Sequence, residues 1–283
     1  MPIAQLRGVN INYEVLGSAG PWVALSPGGR RALDNVKSLA QHVANAGYRV
    51  LIHDRRNCGL SDIAIGAEMS EYEVWAEDLH ALLSQLNALP AVLGGGSSGC
   101  RLSVLFALKY PHAVRALLLW RVTGGRFACE RLAENYYGQF IKLAQSGGMK
   151  AVAESEHWAE RIRMRPQNGD TLMKMDAKHF IAAMEHWRGY FLRGADLPVI
   201  GATEADLKSI KVPTCIVPGN DKTHGNAVGD IAKRLIPNSE LHKIMGPDMD
   251  VDLGPIEEWE AKDGEMAALF DGFLRRALQS AAA

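Results

Sequence analysis

The residues Gly95-Gly96-Ser97-Ser98-Gly99 decide how this chain is read. They follow a short apolar run, Ala91-Val92-Leu93, and precede a helix-like stretch from Leu102 to Lys109. That order predicts a strand, a sharp turn and a helix, with the pattern G-x-S-x-G at the turn. Such a corner lifts a serine hydroxyl above the end of a sheet, with backbone N–H groups beside it. Glycines suit it because the backbone at the serine is strained and the strand packs closely on the helix.

Working outward, strands and helices alternate through the first half. Val9 to Leu16 reads as an edge strand, Trp22 to Leu25 and Arg49 to His53 as short buried strands, and Val114 to Trp120 as another. Asp34 to Ala46 and Ser70 to Leu86 have helical spacing; Gly47 ends the first and Ser70 is an N-cap candidate for the second. Strand, helix, strand, helix at this spacing predicts a mostly parallel sheet wrapped by helices. The rhythm stops after Trp120. Residues 126–208 carry helical runs, about Glu130–Ser146, Met149–Arg163 and Lys178–Leu192, divided at Gly147-Gly148 and at Pro166-Gln167-Asn168-Gly169. Strand signal returns at Thr214–Val217 and Glu240–Ile244, and a last helix covers about Glu265 to Leu278.

Composition sets limits. The chain has 283 residues, 47% of them apolar, enough for one large α/β core with an insertion. Lysine and arginine total 31 against 32 acidic residues, so bulk charge makes no case for nucleic acid or a membrane surface. No apolar run approaches the length that spans a bilayer. Residues 1–10 lack a signal-peptide core, and Cys58, Cys100, Cys129 and Cys215 form no C-x-x-C pair. The expectation is a cytoplasmic protein with free thiols and a small-molecule substrate, with no nucleic acid or membrane partner and with a homodimer left open.

Several further segments carry a resemblance. Asn10-Ile11-Asn12-Tyr13-Glu14 looks like a first hairpin; Asp54-Arg55-Arg56-Asn57-Cys58-Gly59-Leu60-Ser61-Asp62 resembles a D-x-R-G-x-G-x-S loop, with Asn57 where glycine is usual; Tyr110-Pro111-His112-Ala113-Val114 looks like the turn leaving the serine helix; and Pro218-Gly219-Asn220-Asp221 looks like a loop presenting an acid. In order and spacing the chain resembles the α/β-hydrolase family over nearly its whole length. The resemblance implies that fold, with residues 1–125 and 209–283 as the core and 126–208 as a helical cap inserted after the sixth strand. It implies no cofactor and no metal. It makes Ser97 the nucleophile, Asp221 the triad acid, and the amides of Ser98 and of Gly28 or Gly29 the oxyanion donors. Loss of one such donor costs roughly 3–4 kcal/mol in a working hydrolase.

One piece departs from the family pattern. The histidine belongs a few residues after the last strand, where the chain reads Met245-Gly246-Pro247-Asp248-Met249-Asp250-Val251-Asp252 and Met249 stands in its place. The substitutes are His224, three residues past Asp221, a position the family often fills with a loop-packing histidine; His157, on the cap; or a carboxylate such as Asp250 sharing a proton with Asp221. Trp120 and Arg121 end a strand on the active face, where Arg121 can hold an anionic substrate or a structural ion pair. Aromatic and methionine residues of the cap, Tyr136, Tyr137, Phe140, Trp158, Met173, Met175, Phe180, Met184, Trp187, Tyr190 and Phe191, supply core packing and, for a minority, a pocket lining. The expected function is an enzyme acting on a small, mostly apolar ester or carbonyl compound through Ser97 and an atypical base. The alternatives are a lyase or isomerase of the same fold and a catalytically inactive binding protein.

Overall fold

The computed structural model describes residues 2–279. Eight strands form one sheet: β1 (Ile3–Leu6), β2 (Val9–Leu16), β3 (Trp22–Ser26), β4 (Arg49–His53), β5 (Ala91–Gly96), β6 (Val114–Trp120), β7 (Thr214–Val217) and β8 (Ser239–Leu241). Their spatial order is β1-β2-β4-β3-β5-β6-β7-β8. β1 and β2 run antiparallel at one edge, and from β4 to β8 every pairing is parallel. The central strands β5, β6 and β7 are almost wholly buried and, apart from Arg115 and Thr214, carry only apolar residues or glycine, because both faces are covered, as parallel strands require. Helices α1 (Lys37–Asn45) and α12 (Asp263–Gln279) cover one face, where Val23, Val50, Leu118 and Phe270 pack together. Helices α2 (Glu71–Gln85) and α3 (Ser98–Lys109) cover the other, around Leu51, Leu93, Leu117 and Phe106. This is the α/β-hydrolase fold.

Local signals explain most element ends. Ser70 and Glu73 form a reciprocal capping box at the start of α2. Gly47 takes φ +103 just past α1, a conformation that a side chain resists. β1 was not expected from the sequence; it pairs only with β2, and four residues give too short a pattern to read. β8 ends at Leu241, earlier than Ile244, so His242 lies beyond the strand rather than inside it.

Between β6 and β7 the chain is helical: α4 (Arg126–Ala133), a π-turn at Glu134–Gly138, α5 (Gln139–Glu154), α6 (Glu156–Met164), α7 (Gln167–Met173), α8 (Ala177–Arg193) and α9 (Glu204–Ser209). The expected division at Gly147-Gly148 is present: Gly148, with φ 64 and ψ −163, leaves the helical region and divides α5 into two helical runs. A second break, inside the run expected from Met149 to Arg163, falls at Ser155, whose extended backbone starts α6. Helix α10 (Asn226–Leu235) follows β7, and the short α11 (Ile256–Glu260) precedes α12.

Candidate active site

Ser97 sits between β5 and α3 with φ 53 and ψ −107, a strained conformation held by its amide bonding to the Trp120 carbonyl. Steric demand fixes the glycines around it. A Cβ on Gly95 would stand 2.2 Å from the Gly99 carbonyl carbon, one on Gly96 2.3 Å from Trp120 Nε1, and one on Gly99 2.1 Å from the Ser26 carbonyl oxygen. None of these positions tolerates a side chain without moving the sheet or the helix.

A histidine does reach this serine, and it is His224. Its Nε2 lies 3.0 Å from Ser97 Oγ, and its Nδ1 lies 2.9 Å from Asp221 Oδ1. Both residues come from the loop after β7. Asp221 Oδ1 also accepts the backbone N–H groups of Thr223 and His224, at 2.9 and 2.8 Å. This carboxylate-capped turn sends the imidazole back toward the sheet. Gly219 makes room: a Cβ there would lie 2.5 Å from His224 Cβ. On the other side, the Gly254 amide donates to Asp221 Oδ2 at 2.9 Å and the Arg121 guanidinium approaches it at 3.6 Å.

These contacts set the charges. Burial pushes Asp221 upward, but the His224 ring, the Gly254 amide and Arg121 outweigh it and pull the carboxyl down to about 2. Burial is the largest influence on His224 and lowers it to about 4, against the opposing bond to Asp221. At neutral pH the carboxylate is ionised and the imidazole neutral, which is the form that can accept a serine proton.

The other substitutes for the absent histidine are not at Ser97. The side chain of Asp250 is 94% exposed and pairs with Lys222 at 2.6 Å, so it shares no proton with Asp221. A carboxylate at the surface keeps its hydration, and nothing drives it into the site. Asp248 accepts from the amide and side chain of Asn226. His157, on α6, lines the same cavity, but its ring packs against Phe140 and Trp158 rather than bonding to Ser97. Burial and the nearby Arg161 hold His157 well below the ordinary imidazole value. Met249 is half-buried, and its methyl group rests beside Gly254, 3.4 Å from where a Cβ would stand there. The Asp-x-x-His spacing was the signal available in the sequence. It places carboxylate and imidazole within one turn, but the closure onto a serine at a sequence separation of 127 is a tertiary fact.

The loop after β3 brings Gly28 and Gly29 to the same corner. A Cβ on Gly28 would stand 3.4 Å from Ser97 Cβ, and Gly29 has φ +51. The buried Arg55 guanidinium donates to the Gly29 carbonyl at 2.7 Å and reaches the Gly28 carbonyl at 3.4 Å. In a trans peptide the N–H points away from the preceding carbonyl, so a carbonyl drawn toward Arg55 turns the next amide the opposite way. Arg161, from α6, donates to the Arg30 carbonyl in the same loop. Ser98 opens α3, where the first amides have no partner within the helix. Its hydroxyl is buried and bonds to Tyr72 and Arg101. Among the described residues, no group accepts a hydrogen bond from the Gly29 or Ser98 amide.

A cavity of about 790 Å³ opens over Ser97 and His224. Trp120 and Arg121 line it from the end of β6, and α11 supplies Ile256 and Trp259. Of the aromatic and methionine side chains of residues 126–208, Tyr136 and Phe140 are the minority that line it, while Trp158, Phe180, Trp187 and Phe191 are core. The lining is therefore more polar than expected, with five arginines among its residues. Its size falls within the range of small-molecule sites. Among the described residues, no helix is long and apolar enough to cross a membrane.

Comparison with known proteins agrees with this architecture. Residues 21–120 match a family model described as the alpha/beta hydrolase fold. An uncharacterized hydrolase of Bacillus subtilis is 34% identical over 150 residues, covering 49% of this chain and 55% of that protein. The mouse sn-1-specific diacylglycerol lipase is 37% identical over 119 residues, 38% of its length. The chain thus spans about half or less of these two relatives. A non-heme chloroperoxidase of Kitasatospora aureofaciens is 26% identical over 267 residues, 90% of this chain and 94% of the relative. Among solved structures, the enol-lactonase of Burkholderia xenovorans superposes with a TM-score of 0.64 at 19% identity, covering 97% of this chain and all of the other. A carboxylesterase structure from Nitrososphaera gargenis gives 0.67 at 20% identity, covering 99% of this chain and 100% of that one. At such identities the structures speak for the fold alone.

Proposed function

The chain belongs to the α/β-hydrolase fold family, and from that premise we propose that it is a serine hydrolase of small esters or related activated carbonyl compounds. The observation that carries the proposal is the unbroken line from Ser97 Oγ through the His224 imidazole to Asp221, with contacts of 3.0 and 2.9 Å. A serine hydroxyl is a poor nucleophile until a base removes its proton. Neutral His224 takes that proton as Ser97 Oγ attacks the carbonyl carbon, and Asp221 holds the ring tautomer that presents Nε2 to the serine. The oxyanion develops between the Ser98 amide and the Gly29 amide. His224 then returns the proton to the leaving alkoxide, giving the alcohol and an acyl-Ser97. Water, deprotonated by the same imidazole, releases the acid and restores Ser97.

Residues 126–208 act in this reading as a cap, contributing Tyr136, Phe140 and His157 to the wall above the serine. The non-hydrolytic and non-catalytic alternatives drew their weight from a missing base. The contact between His224 and Ser97 favours hydrolysis over them.

The test is labelling with a fluorophosphonate, read by intact mass and peptide mapping. Stoichiometric modification at Ser97 is expected, lost in Ser97→Ala and slowed at least about a hundredfold in His224→Ala. Labelling of His224→Ala at the rate of the unsubstituted protein would remove His224 from the mechanism.

A further inference from the structure

We propose that the substrate carries a carboxylate a short chain away from its scissile carbonyl, and that Arg121, assisted by Arg31, binds that group. The inference rests on the serine-hydrolase reading and names the substrate class of the same site.

Three arginines that line the cavity are buried: Arg30, Arg121 and Arg161. Two of them are committed. Arg30 pairs with Glu71 at 3.0 Å, and its guanidinium lies among the rings of Tyr136, Tyr137 and Trp158. Arg161 donates to the carbonyls of Arg30 and His157 and to Glu160. Arg121 differs. It is 9% exposed, yet its guanidinium makes no hydrogen bond among the described residues. Its ionic neighbour, Asp221, stands at 3.6 Å, beyond a good hydrogen bond, and that carboxylate already accepts from His224, Thr223 and Gly254. Its Nε is buried without a partner, and buried donors are nearly always satisfied, so this guanidinium fits a bound acceptor.

The backbone supports the same assignment. Arg121 has φ 51, an uncommon value for a residue with a long side chain. Its amide is pinned to the Val217 carbonyl at 2.9 Å, and the residue before it, Trp120, bonds through its carbonyl to the Ser97 amide. The strained residue is therefore one residue from Trp120, the strand end that holds the nucleophile's amide. Its guanidinium faces the Trp259 ring at 5.3 Å, which leaves the fork open toward the cavity.

Charge is also sorted by depth. Of the acids that line the cavity, Glu156, Glu160, Glu257 and Glu260 are exposed and Asp263 is half-buried, so the rim is acidic and screened by water. Behind the lining, the buried acids that touch its residues are Glu71, taken by Arg30, and Asp221, taken by His224. Arg31, which also lines the cavity, has no ion-pair partner among the described residues. A planar carboxylate on the Arg121 fork gives two parallel charge-assisted hydrogen bonds and orients the rest of the ester.

The experiment compares monomethyl glutarate with methyl pentanoate, which match in chain length and differ in the charge at the far end. The unsubstituted protein is expected to favour monomethyl glutarate by about tenfold or more in kcat/KM at low salt, with the preference shrinking as salt rises. Arg121→Gln lowers turnover of both esters, because it also removes a cation beside Asp221; the readout is the ratio, expected to fall to about one or below, with Arg121→Lys keeping part of it. Calorimetric titration of Ser97→Ala with monomethyl glutarate reads binding without chemistry. It is expected to show tighter binding than methyl pentanoate, lost in Ser97→Ala combined with Arg121→Gln. Equal binding and equal turnover of the two esters by protein with intact Arg121 would overturn the proposal even if Arg121→Gln failed to fold. Turnover that survived Ser97→Ala would instead strike at the serine mechanism and leave the binding result to stand.

Discussion

The imidazole of His224 stands 3.0 Å from Ser97 Oγ across a sequence separation of 127 residues, while Asp221, three residues before it, holds the opposite ring nitrogen. In the proposed mechanism acid and base therefore come from one loop, and the loop after β8, where a separate histidine would sit, holds Met249. His224→Ala is expected to lower kcat by about a thousandfold or more with the fold intact, as removal of a triad base does elsewhere. Met249→His should not raise activity, because Ser97 Oγ already has its acceptor and the Met249 side chain packs beside Gly254 rather than facing the serine. Initial rates on a short-chain ester check both. A gain of tenfold or more from Met249→His would show that the base had been misassigned.

The acid limb of the rate profile follows from the burial of His224, which lowers its pKa to about 4. Catalysis needs the neutral ring, so activity is present above that value and is lost as pH falls through it. kcat/KM is expected to stay level from pH 7 to about 5 and to halve near 4, whereas an ordinary imidazole would halve it at about 6.5. A rate–pH series in buffers of constant ionic strength decides between the two.

Gly219 is a steric requirement for the base. A methyl group there would stand 2.5 Å from both the Cβ and the carbonyl oxygen of His224, far inside contact distance. Gly219→Ala must push the imidazole out of line with Ser97. A displacement of this size costs about a hundredfold in kcat, with a smaller change in KM. Circular dichroism and thermal melting of the variant separate this local effect from loss of fold.

The glycine arguments also explain what was legible in the sequence. Gly95, Gly96 and Gly99 are each forced by a backbone or ring atom within 2.3 Å of a would-be Cβ, so the serine corner appears as a contiguous pattern in the chain. Strand β6 and helix α2 were legible for similar reasons, an apolar run from Ala116 to Trp120 in one and a capping serine in the other. His224 was not, because its role depends on how far the loop after β7 folds back, and no local pattern encodes that distance. Asp250 had the right position in the chain for a site residue and the wrong side of the loop: it faces water and Lys222. The polar cavity floor was hidden for a third reason. The aromatic residues at helical spacing in 126–208 are mostly spent on packing among themselves, as Tyr137, Trp187 and Phe191 are, so their number says little about the lining.

Stability should fall on mild acidification. His53, His157 and His224 are all held below the ordinary imidazole value by burial, His53 to about 3 and His224 to about 4. Below about pH 6.5 the unfolded chain binds protons at these positions that the folded chain refuses, so the folded state loses ground as pH drops toward the folded values. Each histidine contributes about 1.4 kcal/mol per pH unit in that window. Both ring nitrogens of His53 lack a partner among the described residues, and His53→Gln should flatten the dependence by about one histidine's share. Urea denaturation midpoints between pH 7 and pH 5 measure it, and an unchanged slope would count against the neutral buried ring.

Arg55 gives a prediction about the oxyanion loop. Its fork holds the Gly29 carbonyl at 2.7 Å while its plane rests on the Trp75 ring at 4.4 Å, so two constraints fix the guanidinium and the guanidinium fixes the loop. Arg55→Lys keeps the charge and loses the planar fork. The Gly28 carbonyl, which shares a peptide plane with the Gly29 amide and stands 3.4 Å from the fork, then loses that contact, so the amide can turn out of line with the developing oxyanion, and the loss appears in the transition state rather than in ground-state binding. The expected result is a kcat about tenfold lower with KM nearly constant, a fraction of the effect of deleting a donor outright. If Arg55 served only to hold the protein together, Arg55→Lys would melt at a lower temperature while kcat per folded molecule, titrated with the fluorophosphonate, stayed unchanged. The pairing of active-site titration with kcat on one preparation therefore separates a loop-positioning role from a structural one.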